Sequence, residues 1–366
     1  MRLMAFSDLH LDAPFARGGS ELAALRRSHL RDALGEIARL ARDEGVDALV
    51  CAGDLFEHER STPDTAALLR RVFGELAPLP VLLAPGNHDW FGPASIYATT
   101  EWSPNVHVFT ADRLQPFDQL DGVRVWGAAH RAPAGTPGFL EDFAVDGDAL
   151  HIGLFHGSEL GGWAGETEPD KVQHAPFRSA QVEASGLDHA VVGHHHTPVD
   201  GEWHTYPGCP VPLSFGGRQD GGVVVLDLDL DRVIARSRHR VGGLDAHDLT
   251  LLVDGVTDSG QLEQRVDQTV SGLAGVARIT LTGELDPGLV IEPTVLATRR
   301  GALLDLQIRM GRVASGYDLD AVADEPTVRG QFVRDVLASS LAPDEQQRVL
   351  LTGLRALDGR LDLEVA

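Results

Sequence analysis

The sequence predicts an α/β protein in two parts, a larger one at residues 1–242 and a smaller one at residues 243–366. Three observations carry that reading. Short apolar runs alternate with amphipathic helical stretches near the N-terminus, which marks a parallel sheet with its functional loops at one edge. Each apolar run stops abruptly at a cluster of Asp, Asn, Gly or His. Beyond Gly242-Gly243, a hinge by composition, no histidine cluster recurs. At 366 residues the chain also exceeds one core of ordinary size, so two domains are the default.

In order, Arg2 to Ser7 is an apolar run ending at Asp8-Leu9-His10-Leu11-Asp12. Leu22, Leu25, Leu30, Leu34, Ile37, Leu40 and Ala41 fall at helical spacing, so Glu21 to Glu44 is a long amphipathic helix. Val46 to Ala52 is a buried strand that runs into Gly53-Asp54-Leu55-Phe56. Thr62-Pro63 opens a helix to about Leu76, with proline in its first turn. Val81 to Ala84 is a third strand, ending at Pro85-Gly86-Asn87-His88-Asp89. The middle is richer in strands: Val106 to Phe109, Val123 to Gly127, and His151 to Phe155 before His156-Gly157-Ser158. Gly161 to Phe177 is loop-like, and Ser179 to Ser185 has helical spacing. Ala190 to Val192 then leads through Gly193 into His194-His195-His196-Thr197-Pro198. Trp203 to Tyr206, Val223 to Leu228 and Val233 to Arg238 are expected to be antiparallel strands completing the domain. After the hinge come strands at Asp248 to Val253 and Val276 to Thr282 flanking a helix at Gly260 to Leu273. A strand near Leu303 to Met310 and helices at Thr327 to Ser340 and Pro343 to Leu357 finish the chain.

The strand ends collect Asp8, His10, Asp54, Asn87, His88, Asp89, His156, His194 and His196. This set mixes oxygen and imidazole donors without thiolate, which suits Mn, Fe or Zn rather than calcium. It exceeds the needs of one ion. Two ions about 3.5–4 Å apart, sharing a carboxylate, clamp the attacking and leaving oxygens of a phosphoryl displacement. A buried structural aspartate at these positions would need a partner, since an unpaired buried carboxylate is costly. In an extended backbone His194 and His196 point one way and His195 the other, so His195 reads as a neighbour of the ligands or a solvent-facing residue. His58, His151, His174, His189 and His204 read as surface or packing histidines. Asp12 reads as a cap or turn acid or as a neighbour of the ligands. Asp227, Asp229 and Asp231 alternate along a strand and read as a solvated face.

Cys51 and Cys209 make no disulfide framework, so a reducing cytoplasm fits, and both read as structural. No membrane span or signal peptide is apparent. Lys+Arg number 31 against 54 Asp+Glu, a net charge of -23. Proteins that grip nucleic acid alone usually show a basic face, so tight autonomous binding is not expected. Lys171 is the single lysine, leaving phosphate contacts mainly to arginine.

Asp8-Leu9-His10, Gly53-Asp54-Leu55-Phe56, Gly86-Asn87-His88-Asp89, Phe155-His156-Gly157 and Gly193-His194-His195-His196, in that order, resemble the calcineurin-like metallophosphoesterases over roughly Met1 to Arg240. Gly53-Asp54-Leu55-Phe56, Ala175-Pro176-Phe177 ahead of Gly186-Leu187-Asp188-His189, and Tyr206-Pro207-Gly208 are similar to the SbcD-type DNA-repair nuclease subunits. The resemblance implies a two-sheet α/β/β/α sandwich with a smaller C-terminal α/β capping or partner-binding domain. It implies Asp8, His10 and His196 on one metal, Asn87, His156 and His194 on a second, and Asp54 bridging both. His88 would face the scissile phosphate as transition-state stabiliser or general acid, with Asp89 orienting its ring. Coordination lowers the pKa of water from ~15.7 towards ~7, giving a hydroxide for in-line attack.

The implied activity is Mn-dependent hydrolysis of DNA phosphodiesters by an exo- or endonuclease of DNA repair, cytoplasmic, partnered by an SMC-like ATPase, with a homodimer left open. The alternatives are a phosphatase or phosphodiesterase for nucleotides or small phosphoesters, and a non-catalytic scaffold of the same fold. The full ligand set speaks against the scaffold. Three departures from the family stand out. Glu57, with His58 one later, occupies the place where some members carry histidine. Cys209 and Gly217 stand where the branch has serine and glutamate, and His195 fills a position that is more often aliphatic.

Overall fold

In the computed structural model, residues 1–15, 19–161, 172–215, 221–229, 234–286, 289, 291–315 and 317–359 are described. Lys171, Gly217, Asp231 and most of the loop-like stretch before Val172 lie outside them. The first apolar runs become β1 (Arg2–Phe6), β2 (Ala48–Cys51), β3 (Val81–Leu83) and β4 (Val106–Val108), all mutually parallel. Helices α1 (Gly19–Asp43) and α2 (Pro63–Gly74) make two of the crossovers between them. Pro63 opens α2, where the missing N–H would have no helical partner anyway.

Alternation along these strands divides the core. Met4, Phe6, Leu49, Cys51, Val81 and Leu83 pack with Leu30, Leu34 and Ile37 of α1 and Leu69 and Phe73 of α2. Leu3, Ala5, Ala48, Val50 and Leu82 point the opposite way, as the period of two requires. There they meet Val125, Ile152, Leu154 and Val191 of a second sheet. That sheet runs β5 (Gln115–Leu120), β6 (Val123–Gly127), β7 (Leu150–His156), β8 (His189–Gly193), β10 (His204–Tyr206) and β9 (Val199–Asp200). Its outer face carries Phe155, Ala190 and Val192 against Val182 of a short helix, α4 (Ser179–Ala184). A single turn of helix, α3 (Ile96–Thr99), precedes β4. The layers are therefore α/β/β/α.

One expectation is corrected. Strand β10 runs parallel to β8, because the chain first goes out to β9 and pairs antiparallel with it on the way back. Only β11 (Val223–Leu228) and β12 (Ile234–His239) behave as expected, pairing antiparallel with each other. They do so in the first sheet, where β11 lies beside β1.

The chain divides into compact units at Met1–Leu244 and Asp245–Ala366. In the second, β13 (Ala246–Leu252), β14 (Val276–Leu285) and β15 (Asp305–Ser315) form a parallel sheet in sequence order. Helices α5 (Ser259–Val270) and α6 (Pro293–Ala297) are the crossovers, and Leu262, Val266 and Leu296 pack on Ile279 and Leu281. Helices α7 (Leu319–Ala323), α8 (Val328–Leu337) and α9 (Pro343–Leu357) share a core of Val322, Val333, Val336, Leu350 and Leu354.

Candidate metal centre

Parallel pairing sets the C-terminal ends of β1, β2 and β3 side by side, and those of β7 and β8 likewise. Backbone bonds continue beyond the strands: Asp8 N–H to Gly53 O at 3.0 Å, His10 N–H to Asp54 O at 3.0 Å, and Gly157 N–H to Gly193 O at 3.2 Å. The chain must turn sharply at these points, and the turning residues carry side chains. Asp8, His10, Asp54 and His194 have φ of 55°, 49°, 51° and 111°, in the left-handed region that L-residues usually avoid. Such strain gathers at functional sites, where the surroundings over-determine it. Gly193 is needed for contact rather than for its turn, since a Cβ there would lie 2.1 Å from Ala52 O.

Asp54 sits at the centre, 2% exposed. Its Oδ2 is 3.6 Å from His10 Nε2 and 3.2 Å from His156 Nε2, and its Oδ1 accepts from His88 N–H at 2.8 Å. Asp8 accepts from His194 N–H at 3.1 and 3.2 Å, and its Oδ1 is 3.8 Å from His196 Nε2. Asn87 Oδ1 is 3.1 Å from His156 Nε2, and the His156 and His194 rings meet edge-on at 5.2 Å. The seven residues thus gather around Asp8 and Asp54, with His194 Nε2 itself 3.1 Å from Val172 O. Burial alone would push the Asp54 carboxyl up; the charges of His156, His10 and His88 and the His156 hydrogen bond outweigh it and hold it well below the usual range.

The donors fit a cation. His156 Nδ1–H donates to Ala52 O at 2.9 Å, which turns a bare Nε2 towards the oxygens of both Asp54 and Asn87. A nitrogen lone pair facing two acceptors is unfavourable unless a proton or a cation sits among them. Similarly, His10 Nε2 is buried without a hydrogen-bond partner. Asp8, His10 and His196 bring ligand atoms within 4.8 Å of one another, as do Asp8, Asp54 and His156, and His10, Glu57 and His88.

The expected contact between Asp89 and His88 is corrected. The fully buried Asp89 carboxylate accepts from the N–H groups of Asp54, Leu55 and Gly86 at 3.1, 2.7 and 2.6 Å and from Tyr97 OH at 2.6 Å. It clamps the loop that presents Asp54. Instead, the His88 ring bonds Glu57 Oε2 through Nδ1 at 3.0 Å. That bond, working against burial, raises His88 to about 9. Burial opposes ionisation of Glu57, but its bonds to His10 and His88 lower it to about 2.

His195 is buried, not solvent-facing, and packs edge-on against Tyr206 at 5.1 Å. His151, His174, His189 and His204 are all buried packing residues, and His58 stacks on Trp90 at 4.0 Å. Asp12 pairs with Arg31 at 3.0 Å and accepts from Thr65 Oγ1 in the first turn of α2. Cys51 and Cys209 are both buried, and the Cys209 thiol donates to Asp8 O at 2.9 Å. Glu57, noted in the sequence only as a departure from the family, joins the site through His10 and His88, and one further contributor has no signal in the sequence. His130, just past the end of β6, bonds the carbonyl of His156 at 2.8 Å and is pushed down to about 3 by burial and the nearby His156.

The chain is similar to several known proteins. The chain is 29% identical over 354 residues to the DNA double-strand break repair protein Mre11 of Halobacterium salinarum, covering 91% of this chain and 82% of that one. It is 26% identical over 249 residues to the protein of that name from Methanopyrus kandleri, covering 59% of this chain and 50% of that one. A solved structure, TT1561 of Thermus thermophilus, aligns at 17% identity over 65% of this chain and 98% of its own, with a TM-score of 0.39. The family model for calcineurin-like phosphoesterase matches residues 1–198, the stretch that supplies all seven converging side chains, and the chain belongs to that family.

Proposed function

We propose that this chain is a two-metal phosphodiesterase of DNA repair, a DNA exo- or endonuclease subunit. The observation that carries the reading is the place of Asp54, whose one oxygen faces both His10 Nε2 and His156 Nε2. In this reading Asp8, His10 and His196 would hold one divalent cation and Asn87, His156 and His194 a second, with Asp54 shared between them. Such an oxygen and imidazole set suits manganese, the metal we propose, with Fe or Zn as alternatives. Bound cations would supply Lewis-acid activation of water and neutralise charge on the phosphoryl group. His88, half-exposed and held by Glu57, presents its ring to a phosphate or leaving-group oxygen. Asp89 and Tyr97 keep the Asp54 loop fixed while substrate exchanges.

The net charge of -23 supports a partner that brings the basic DNA surface, such as an SMC-like ATPase subunit. The second unit supports docking there: Val328, Leu337 and Leu357 on α8 and α9 are 76%, 44% and 46% exposed. Among the described residues no helix is long and apolar enough to cross a membrane.

The test is cleavage of defined linear, hairpin and circular DNA with Mn, with and without the ATPase. Wild type should cut and Asp54→Asn should not. Hydrolysis of cyclic nucleotides with DNA left intact would move the substrate to small phosphoesters. Equal rates from wild type, His88→Ala and Asp54→Ala would leave only a scaffold.

A further inference from the structure

We infer that Glu57 is a shared positioning residue, one carboxylate that orients both a ligand of the first metal and the histidine that faces the phosphate. The inference rests on the two-metal reading above. Glu57 Oε1 lies 2.8 Å from His10 Nδ1, and Oε2 lies 3.0 Å from His88 Nδ1. An ionised carboxylate only accepts, so both Nδ1 atoms must carry hydrogen. That leaves His10 Nε2 as a lone pair, buried, partnerless and 3.6 Å from Asp54 Oδ2, which is what a cation there requires. The two rings meet edge-on at 4.8 Å, so neither can rotate without meeting the other.

The backbone fixes Glu57 between the same two loops. Its N–H donates to Leu11 O at 2.9 Å, and the N–H of His58 donates to His88 O at 2.9 Å. Its side chain is 19% exposed, reachable by water but walled by both rings. Metal ligation at His10 and presentation of His88 are thereby set by one side chain, and neither ring can be repositioned alone.

The test uses the full chain with Glu57→Gln, and Glu57→His as a second variant. An amide accepts from one ring but turns its NH2 towards the other, so one Nδ1–H loses its acceptor. In 15N-histidine-labelled, metal-free wild type, His10 and His88 should both be protonated at Nδ1. Glu57→Gln should move at least one of them towards the tautomer mixture of a free imidazole. Mn2+ added alone and followed by electron paramagnetic resonance should bind the first site about 10–100-fold more weakly, with the second site unchanged. With bis-p-nitrophenyl phosphate, kcat should fall and KM should hold. Unchanged ring signals and unchanged first-site affinity would overturn the inference. So would the loss of one whole Mn2+ equivalent with the ring signals intact, which would make Glu57 a ligand. If wild type binds no pair of Mn2+ ions, the functional reading fails by itself, and the metal-free ring signals still decide whether Glu57 holds the two imidazoles.

Discussion

Gly86 lies so close against Asp54 that a Cβ on it would stand 2.4 Å from Asp54 Oδ1, and 2.9 Å from His156 Cγ. No real side chain tolerates that approach, and the neighbours are the two groups at the centre of the site. Gly86→Ala should therefore displace Asp54 rather than simply crowd it. We expect a stability loss of about 1–3 kcal/mol by chemical denaturation, together with at least tenfold weaker Mn2+ binding. Retention of wild-type metal affinity would show that the Asp54 loop can shift without loss.

Asp54→Asn keeps the shape and removes the charge between His10 and His156. Metal analysis after loading should fall from two equivalents to one or fewer. Hydrolysis should drop by about 100-fold or more, since the cations contribute several kcal/mol at the transition state. Two equivalents in the variant would remove Asp54 from the bridging position.

His189 gives a pH effect away from the metal centre. Burial, with Arg236 adding repulsion, lowers it to about 3, and Thr205 Oγ1 is its neighbour at 2.9 Å. The unfolded chain takes up the proton near 6.5, well before the folded one does. The neutral ring is therefore fully tolerated above that pH, and stability falls as pH drops towards 3. The slope for one proton is about 1.4 kcal/mol per pH unit. Urea midpoints from pH 7 to pH 4 should fall more steeply in wild type than in His189→Gln. Parallel curves would mean that the ring protonates freely in the fold.

Tyr206 is fully buried, and its hydroxyl donates to Gly157 O at 2.8 Å while accepting from Glu159 N–H at 3.0 Å. Tyr206→Phe strands both groups, a loss of about 1–3 kcal/mol. Gly157 directly follows His156, so the second metal should also bind a few-fold more weakly. Calorimetric melting with and without Mn2+ checks both effects, and an unchanged apo melting point would contradict them.

The candidate ligands were legible because they sit where parallel strands stop, and strand ends show in sequence as apolar runs broken by Gly, Asp or His. Asp8 and Asp54 come together because β1 and β2 end side by side, and His156, at the end of β7 in the other sheet, reaches Ala52 O just past β2. What local patterning hides is pairing across distance. His10 and Glu57 are 47 residues apart, and nothing in either segment announces that they touch. Asp89 was misread for a different reason: orienting the His88 ring was the role that the resemblance implied, whereas here its carboxylate reaches back to the turn after β2. Strand β5 went unseen because Pro116 and its polar neighbours break the pattern, which an edge strand tolerates and a central one would not. The direction of β10 depends on the tiny β9, two residues long, too short for any periodicity to register.

Strand β1 lies between β2 and β11, so half of its hydrogen-bonding capacity waits for residues 223–228. Leu3 pairs with Ala48 on one side and with Leu226 on the other, and the N-terminal amine itself reaches Leu228 O at 3.0 Å. On the ribosome, then, β1 keeps an open sheet edge until almost the whole first unit has been synthesised. Any nascent or truncated chain ending short of β11 exposes an apolar strand with unpaired amides, the kind of edge that recruits a stranger's strand. A non-local closure of this kind cannot form before β11 has been made, which leaves such fragments prone to aggregate.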